Sequence, residues 1–383
     1  MQNDIGPSGG RVAYISSSPI PSTQANSVHV MCMAEALVQE GYRAELIARL
    51  SGELPGVDDY FAFYGIEPVF GLTRLRRVRG LNALYARKAA AFVRKLKPDV
   101  VYGRDLHAVG LCARDGFPVV LESHGPMPGL WARARLGRLA ASGRLRRVVV
   151  ISEALKALVL EKHGSLLAEE LVTVAHDGVD LERFADLPGK SAARAEVGLE
   201  SEGFVAGYFG HLYAGRGVEI LLAAARRIPE MTFLLVGGRP EDVVALRNRA
   251  GDLGNVRVTG HVPRGRLRPY WSACDALLMP YQRKVAVKGG GDTSAWMSPM
   301  KMFEYMACCR AIVSSDLPVL REVLGDGRSS LLVAPESVDA WVGALERLRT
   351  NPDLADRLAS RAREDAEDYS WRARVRCVMD GIL

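Results

Sequence analysis

The chain has 383 residues, more than one hydrophobic core usually fills, so two domains of similar size are expected. Hydrophobic residues make up 48% and charged residues 25%, a composition that excludes a largely disordered chain. The net charge of +6 suits partners that carry phosphate. No zinc-finger, RRM-like or basic-zipper pattern accompanies that charge, so a nucleic-acid partner is not expected.

The cysteine pattern and the N-terminal sequence both predict a cytoplasmic protein. No CxxC pair is present and four cysteines lie in apolar runs, so we expect reduced core residues at Cys32, Cys112, Cys274, Cys308, Cys309 and Cys377. Residues 1–10 are polar and do not follow the pattern of a signal peptide. No apolar run is long enough to span a membrane, so any membrane contact would be peripheral, at the inner face.

Short apolar runs alternate with helix-period segments along the chain. In the first half the predicted strands are 11–16, 44–48, 99–102, 118–122, 147–151 and 172–174, with helices over 28–39 and 82–96. After a polar segment, 177–203, which we interpret as a linker, the pattern restarts with strands 204–209, 232–236, 256–259, 276–279 and 311–314 and a helix over 218–228. This alternation predicts an α/β fold with two Rossmann-like domains, 1–180 and 181–370, and a ligand site in a cleft between them.

A glycine-rich turn follows the first strand of the second half, in the sequence GYFGHLYAGRG over residues 207–217. Glycines let the backbone approach a ligand closely, and the helix that follows presents its N-terminus to anions. Arg216 lies where a cation is disfavoured unless an anion is bound nearby. The loop is therefore either a diphosphate site or a tight turn with a solvent-exposed arginine.

A second loop rich in glycine and small polar residues precedes a predicted helix in the segment 289–310. Ser298 is expected as the N-cap and Pro299 as the first helical residue. Lys301 and Glu304 then lie on the same helix edge. Glu304 can accept hydrogen bonds from two adjacent hydroxyls, as on a ribose, or can be an ordinary surface residue.

Two loops of the first half carry further candidates. His124 follows a predicted strand in LESHGP and has either a catalytic or a structural role. The first strand-to-helix loop, 16–29, contains Ser18, Asn26 and His29. It can hold an acceptor or a phosphate, or it can be a capped loop with no special role.

Several catalytic signatures are missing from the sequence. There is no GxSxG elbow, no Walker A motif, no HExxH, no DxD pair and no His/Cys cluster with zinc spacing. We therefore expect a metal-free mechanism in which helix termini and basic side chains neutralise phosphate charge.

Together these segments resemble the family-4 retaining glycosyltransferases of GT-B fold over nearly the whole chain. The matching segments are ANSVHVMCMAEAL at 25–37, VAHDGVDLERF at 174–184, GYFGHLYAGRG, SPMKMFEYMACCRAIVSSDLPVLREVL at 298–324 and YSWRARVR at 369–376. The last one resembles the C-terminal helix that crosses back to the N-terminal domain, so the resemblance places 371–383 with residues 1–180.

The resemblance implies a metal-independent hexosyltransferase that needs no cofactor beyond its nucleoside-diphosphate-sugar substrate. By position, Glu304 would bind the ribose of the donor, and Arg216 would bind the diphosphate in place of the usual lysine. His124 would lie by the transferred sugar. From their place in the first strand-to-helix loop we assign Ser18, Asn26 and His29 to the acceptor. The donor-binding set implied is Gly210, His211, Arg216, Asp292, Ser298, Lys301 and Glu304, with His124, Arg216 and Lys301 as the catalytic set.

One departure from the family pattern changes the donor site. The family's Glu-x7-Glu motif would place its first glutamate at position 296, which is Trp296 here. Asp292 or a backbone group can replace that carboxylate, and Lys301 can replace phosphate-binding charge. Two alternatives to a transferase remain open, a nucleotide-sugar 2-epimerase and an inactive relative that serves as a binding partner.

Two basic clusters suggest a partner outside the cleft. The first runs from Arg74 to Lys97 and includes Arg76, Arg77, Arg79, Arg87, Lys88, Arg94 and Lys95; the second comprises Arg133, Arg135, Arg138, Arg144, Arg146 and Arg147. Each is either a surface for anionic lipid, where a lipid-linked acceptor would be found, or a solvated basic face.

Overall fold

The computed structural model describes residues 9–383 except 52, 53, 55, 77–81, 214 and 286–290. Arg77, Arg79, Gly289, Gly290 and most of the N-terminal decapeptide considered above therefore lie outside the described residues. The chain divides into two compact units: unit 1 comprises Met1–Asp177 and Trp371–Leu383, and unit 2 comprises Gly178–Ser370. Each unit is a parallel sheet with helices, which confirms the predicted α/β architecture.

The sheet of unit 1 has seven strands among the described residues, in the order β3-β2-β1-β4-β5-β6-β7. The strands are β1 Arg11–Ile20, β2 Arg43–Leu50, β3 Gly71–Leu75, β4 Val100–Gly103, β5 Val119–Ser123, β6 Leu145–Val150 and β7 Val172–Val174. The helices are α1 Ala25–Gln39, α2 Tyr60–Tyr64, α3 Asn82–Leu96, α4 Leu106–Arg114, α5 Leu130–Ala141, α6 Glu153–His163 and, from the end of the chain, α15 Trp371–Met379. A 3₁₀ turn covers Glu169–Leu171.

The sheet of unit 2 has six strands among the described residues, in the order β10-β9-β8-β11-β12-β13. The strands are β8 Phe204–Phe209, β9 Met231–Val236, β10 Val256–Gly260, β11 Ala276–Met279, β12 Ala311–Ser315 and β13 Leu331–Val333. The helices are α7 Lys190–Glu196, α8 Val218–Arg227, α9 Pro240–Ala250, α10 Arg268–Ala273, α11 Met300–Ala307, α12 Pro318–Arg321, α13 Val338–Thr350 and α14 Pro352–Asp365. Three 3₁₀ turns cover Leu181–Phe184, Arg264–Arg266 and Ala366–Tyr369.

The central strands are buried on both faces, which explains why they are continuous apolar runs rather than alternating ones. Every residue of β4, β11 and β12 is buried. In unit 2 the helices that cover the sheet contribute one apolar face each, and Trp341 of α13 is fully buried in that core. The sheets thus provide rigid platforms whose strand ends carry the candidate loops.

The first strand and helix are longer than predicted, so the loop between them is shorter. β1 continues to Ile20, and α1 begins at Ala25 rather than at residue 28. Ser18 therefore lies in a buried strand instead of a loop, and Asn26 lies in the first turn of a helix.

The predicted linker is also more ordered than its composition suggests. Residues 177–203 include α7, and Arg194 of that helix is buried with its Nη2 2.6 Å from Asp275 Oδ2. The linker prediction was therefore wrong for this part of the chain. The sequence alone does not distinguish a buried, ion-paired arginine from an arginine on the surface.

The cysteine prediction holds for four residues and fails for two. Cys32, Cys112, Cys274 and Cys308 are buried, but Cys309 and Cys377 are exposed, and all six are free thiols. Among the described residues, no helix is both long enough and apolar enough to cross a lipid bilayer.

Candidate functional site

The glycine-rich loop of unit 2 has the close backbone approach that its sequence predicts. Gly217, the N-cap of α8, has φ +75°, and a Cβ there would lie 1.6 Å from the carbonyl oxygen of Pro280. A Cβ at Gly210 would lie 2.5 Å from Lys301 Nζ. The loop is thus packed against the start of α11, and its glycines leave room for the lysine.

Two cations meet beside this loop. Arg216 Cζ lies 5.3 Å and Lys301 Nζ 5.4 Å from the centre of the Tyr281 ring, and Lys301 Nζ also lies 4.3 Å from the ring centre of Tyr208. Neither cation has an ion pair with any carboxylate of the described residues. Arg216 Nε is buried without a hydrogen-bond partner among them.

The protonation of neighbouring groups reflects this excess of positive charge. Burial and the charge of Arg216 hold the pKa of Lys301 well below its usual range, although Glu304 opposes the shift. Burial, Arg216 and Lys301 lower the pKa of His211 to about 4. His211 is therefore neutral at pH 7, and its ring stacks on Tyr213 at 5.0 Å between centroids.

A half-buried pair of cations that has no counter-charge in the described part of the chain has the electrostatics of an anion-binding site. The N-terminus of α8 follows Arg216 directly and adds the partial positive charge of its free NH groups. The ligand that best matches this site is a group with two or more negative charges, such as a diphosphate.

Helix α11 carries the third candidate side chain of unit 2. It begins at Met300 with Pro299 as N-cap, one residue later than predicted, so the expected capping role of Ser298 was wrong; Ser298 is buried just ahead of the helix. The helix is tied to the glycine-rich loop because Phe209 N donates to Tyr305 Oη at 2.9 Å.

Glu304 is oriented on α11 by a neighbouring arginine. Arg264 Nη2 lies 3.4 Å from Glu304 Oε1, and 17% of the Glu304 side chain is exposed. Burial raises the pKa of Glu304, while Arg264 and Lys301 oppose the rise. The carboxylate is thus accessible and has oxygen lone pairs that can accept from hydroxyl groups.

The loop before α11 is organised by Asp292. Its Oδ1 accepts hydrogen bonds from Val285 N at 2.8 Å and Ser294 N at 2.9 Å. Burial alone would raise the pKa of Asp292, but these backbone donors lower it. Trp296 lies in the turn that follows and is half-buried, with its N donating to Thr293 O at 3.1 Å. Asp292 therefore stabilises the conformation of this loop through its Oδ1 atom. Its contact with the donor stays a prediction.

In unit 1, His124 directly follows β5 and contacts a buried glutamate. His124 Nε2 is hydrogen-bonded to Glu122 Oε1, and 24% of the His124 side chain is exposed. Burial and Arg104 lower the pKa of His124 to about 4, although Glu122 opposes the shift. His124 is therefore a neutral imidazole at pH 7, partly open to ligands.

The three predicted acceptor residues occupy different environments. His29 is 1% exposed, with Nδ1 3.0 Å from Asp177 Oδ1 and Nε2 2.9 Å from Glu122 Oε1. Ser18 is 3% exposed and donates from Oγ to Asn26 O at 3.3 Å. Both of these side chains are buried and have partners within unit 1, whereas Asn26 is partly exposed. Contact of the three residues with an acceptor stays a prediction.

The cluster around Glu122 is an ion-pair network. His29, Glu122 and His124 bring metal-ligand-type atoms within 4.8 Å of one another. However, Arg374 Nη2 lies 3.3 Å and Arg104 Nε 3.9 Å from the same Glu122 oxygen, and this guanidinium charge opposes a cation there.

Sequence reasoning missed Glu122, Asp177 and Arg374 as members of this network. A glutamate inside the apolar run PVVLES was a signal, because a buried carboxylate needs partners.

Two family models match the chain in separate stretches that together span most of it. Residues 27–183 match the model described as "Glycosyltransferase Family 4", and residues 203–351 match "Glycosyl transferases group 1". The first match contains His124 and begins one residue after Asn26, and the second contains the cation pair and Glu304.

Curated relatives share about a quarter of the sequence. A D-inositol 3-phosphate glycosyltransferase of Streptomyces bingchenggensis is 25% identical over 70% of this chain and 58% of its own length. The chain thus spans little more than half of that relative. A phosphatidyl-myo-inositol mannosyltransferase of Mycolicibacterium smegmatis is 26% identical over 90% of this chain and 86% of its own length.

Solved structures share the fold at lower identity. Anabaena HepE in complex with UDP-glucose superposes with a TM-score of 0.72 at 17% identity, covering 97% of this chain and 98% of that one. At this identity the likeness establishes the fold.

Proposed function

Because the chain belongs to the family-4 glycosyltransferases and has their GT-B fold, we propose that it transfers a sugar from a nucleoside-diphosphate sugar to an acceptor hydroxyl. The observation that carries the choice of donor is the pair Arg216 and Lys301, which share the Tyr281 ring and have no counter-charge among the described residues. A diphosphate would supply that counter-charge. The UDP-glucose complex of HepE, which shares the fold, supports the same choice.

The donor is divided between the glycine-rich loop and α11. The diphosphate lies against Arg216, Lys301, the N-terminus of α8 and the backbone at Gly210. The ribose hydroxyls donate to Glu304, which Arg264 orients. His211, neutral and stacked on Tyr213, contributes a polar contact rather than a charge.

The proposed reaction retains the configuration of the anomeric carbon. The bond between that carbon and the β-phosphate oxygen breaks, and the acceptor oxygen bonds to the carbon on the same face. The acceptor proton passes to the leaving phosphate oxygen, so the products are the glycoside and a nucleoside diphosphate. Negative charge grows on the leaving group, and the fixed charges of Arg216 and Lys301 stabilise it without help from a metal. We therefore expect turnover to be insensitive to EDTA.

The acceptor is proposed from the relatives together with the surface of unit 1. Two curated relatives carry names that include inositol 3-phosphate and phosphatidyl-myo-inositol. We propose a polyol or sugar hydroxyl, free or on a lipid, as the acceptor group, with Asn26 among its contacts. This acceptor class fits glycan, glycolipid or natural-product biosynthesis.

A lipid-borne acceptor would place the protein at a membrane surface, and unit 1 has a face suited to that contact. At the start of α5, Leu130 is 84% and Trp131 77% exposed, and arginines follow on the same helix. Exposed aromatic and aliphatic side chains beside arginines favour an anionic bilayer interface. On α3, Arg87, Lys88 and Lys95 are also exposed. Arg74, in contrast, packs on an aromatic ring, with its Cζ 3.7 Å from the centre of the Tyr60 ring.

Vesicle cosedimentation of the wild type and of Trp131→Ser tests the contact between α5 and the membrane. An unchanged bound fraction in Trp131→Ser would rule this contact out.

The donor is tested by thermal shift with UDP, GDP, ADP, dTDP and their common sugars. Binding to the folded state raises the melting temperature by mass action. A shift with one nucleotide family supports the proposal and selects the donor for transfer assays with D-inositol 3-phosphate and phosphatidylinositol. No shift with any of them at millimolar concentration would contradict it.

A further inference from the structure

Glu122 is a buried carboxylate at the end of β5, and charged partners surround it. Its Oε1 faces His29 Nε2 at 2.9 Å, Arg374 Nη2 at 3.3 Å and His124 Nε2, while its Oε2 accepts from Tyr102 Oη. Glu122 is 1% exposed and Arg374 4% exposed. The hydrogen bonds from Tyr102 and His124 and the nearby charge of Arg374 replace part of the hydration that this buried carboxylate has lost.

Other groups besides His124 face the two carboxylates of the network. Arg374 Nη2 lies 3.3 Å and His29 Nε2 2.9 Å from Glu122 Oε1, and His29 Nδ1 lies 3.0 Å from Asp177 Oδ1. Arg374 and His29 hold the pKa of Glu122 well below its usual range, against the effect of burial.

This environment dictates which nitrogen of His124 carries the proton. Glu122 Oε1 only accepts, so Nε2 of the neutral His124 ring must donate to it. The other nitrogen, Nδ1, then carries a lone pair, and any contact that it makes to a hydroxyl is as an acceptor. The ring is also held edge-on to His29, with 4.8 Å between centroids and an angle of 85°.

We propose that Glu122 is a positioning residue for His124: it fixes the Nε2–H tautomer and the ring orientation, so that Nδ1 accepts a hydrogen bond from a hydroxyl of the substrate. The inference rests on the proposed function, because it gives His124 a substrate contact. Glu122 itself touches no substrate and acts through the ring.

The tautomer is tested directly, without any substrate. The full-length chain is labelled with ¹⁵N-histidine, and His124→Gln identifies the His124 signals among the seven histidines. In the wild type at neutral pH we expect protonated Nε2 and unprotonated Nδ1. In Glu122→Gln we expect this preference to weaken, because the amide can either donate or accept. A wild-type His124 protonated on Nδ1 would overturn the proposal, whether or not a donor sugar has been found.

The functional part is tested by a double-mutant cycle on turnover. Glu122→Gln should lower kcat roughly 10-fold to 100-fold, the range for an outer partner that orients a histidine, and should have no further effect in a His124→Gln background. Equal losses in both backgrounds would show a merely structural role and would refute the proposal. Tyr102→Phe is the matched control, because it removes the hydrogen bond on Oε2 and leaves Oε1 on His124.

A charge-conserving variant covers the case in which Glu122→Gln does not fold. Glu122→Asp keeps a negative charge in the network, but its side chain is one methylene shorter, so the carboxylate recedes from His124 as well as from Arg374 and His29. We expect a folded protein with a weakened His124 tautomer preference. A folded Glu122→Asp protein with wild-type tautomer and wild-type kcat would again refute the proposal.

Discussion

Arg216 and Lys301 approach the same aromatic ring: the guanidinium carbon and the ammonium nitrogen lie 5.3 Å and 5.4 Å from the centre of Tyr281. The attraction of each cation for the ring offsets part of their mutual repulsion and of their loss of hydration. The site is therefore arranged for an anion before one binds, and it need not reorganise when charge develops on a leaving group.

Arg216→Ala should lower turnover by roughly 10²-fold, as for the loss of one fixed charge-stabilising donor. The variant should also show a smaller melting-temperature shift with nucleoside diphosphate. Arg226→Ala, an exposed arginine at the other end of α8, is the control and should behave as wild type. Steady-state kinetics with unchanged kcat and KM in Arg216→Ala would remove this residue from the donor site.

Lys301 should make nucleotide binding sensitive to alkaline pH. Its pKa lies well below the usual range, so the ammonium charge is lost at a lower pH than for an exposed lysine. The dissociation constant for the nucleoside diphosphate should therefore rise with pH over a range that lies below the usual lysine pKa of about 10.4. Lys301→Arg keeps its charge throughout that range and should abolish this dependence. Calorimetric titrations that give parallel profiles for both proteins would contradict this prediction.

Glu304 should distinguish a ribonucleotide from its deoxy analogue. A carboxylate that accepts from ribose hydroxyls contributes about 1.5–3 kcal/mol per charged hydrogen bond. The wild type should thus bind UDP, or whichever nucleotide the screen selects, roughly 10-fold or more tighter than the 2′-deoxy form. Glu304→Ala should bind the two forms equally, while Glu322→Ala, on the same unit, should keep the preference. Retained discrimination in Glu304→Ala would show that the ribose lies elsewhere.

Asn26 and Ser18 should separate acceptor binding from stability. Asn26 is partly exposed in the first turn of α1, so Asn26→Ala should raise KM for the acceptor and leave that for the donor unchanged. Ser18 is buried and hydrogen-bonded to Asn26 O and Ser16 Oγ, so Ser18→Ala should lower the free energy of unfolding by about 1 kcal/mol with little change in KM. If instead Ser18→Ala raised KM for the acceptor and Asn26→Ala lowered the free energy of unfolding, Ser18 would belong to the acceptor site.

The strands that position the site could be predicted because they are buried on both faces and appear as uninterrupted apolar runs. The glycine-rich loop could be located for a related reason, since Gly217 has a backbone conformation and a contact with Pro280 that leave no room for a side chain. Strand β3 was missed because all five of its residues are only half-buried at the sheet edge, where the apolar pattern is weak.

The Glu122 network could not be predicted because its members are distant in sequence. Asp177 lies 148 residues from His29, and Arg374 lies 272 residues from Tyr102. A lone charged residue in sequence looks the same whether it is solvated or paired in the interior. For the same reason the sequence did not reveal that His29, predicted to contact an acceptor, lies beside the carboxylates of Glu122 and Asp177.

The return of α15 to unit 1 has a consequence for how the protein is made. Arg374 and Trp371 complete the surroundings of Glu122 and His29, with Trp371 5.0 Å from the His29 ring centre. During synthesis the N-terminal half leaves the ribosome long before these residues are translated. Until then Glu122 lacks its buried guanidinium, and α1 lacks the helix that packs on it. Unit 1 is thus complete only after unit 2 and α15 have been translated, and nascent chains should acquire a protease-resistant unit 1 only once residues 371–379 have left the ribosome.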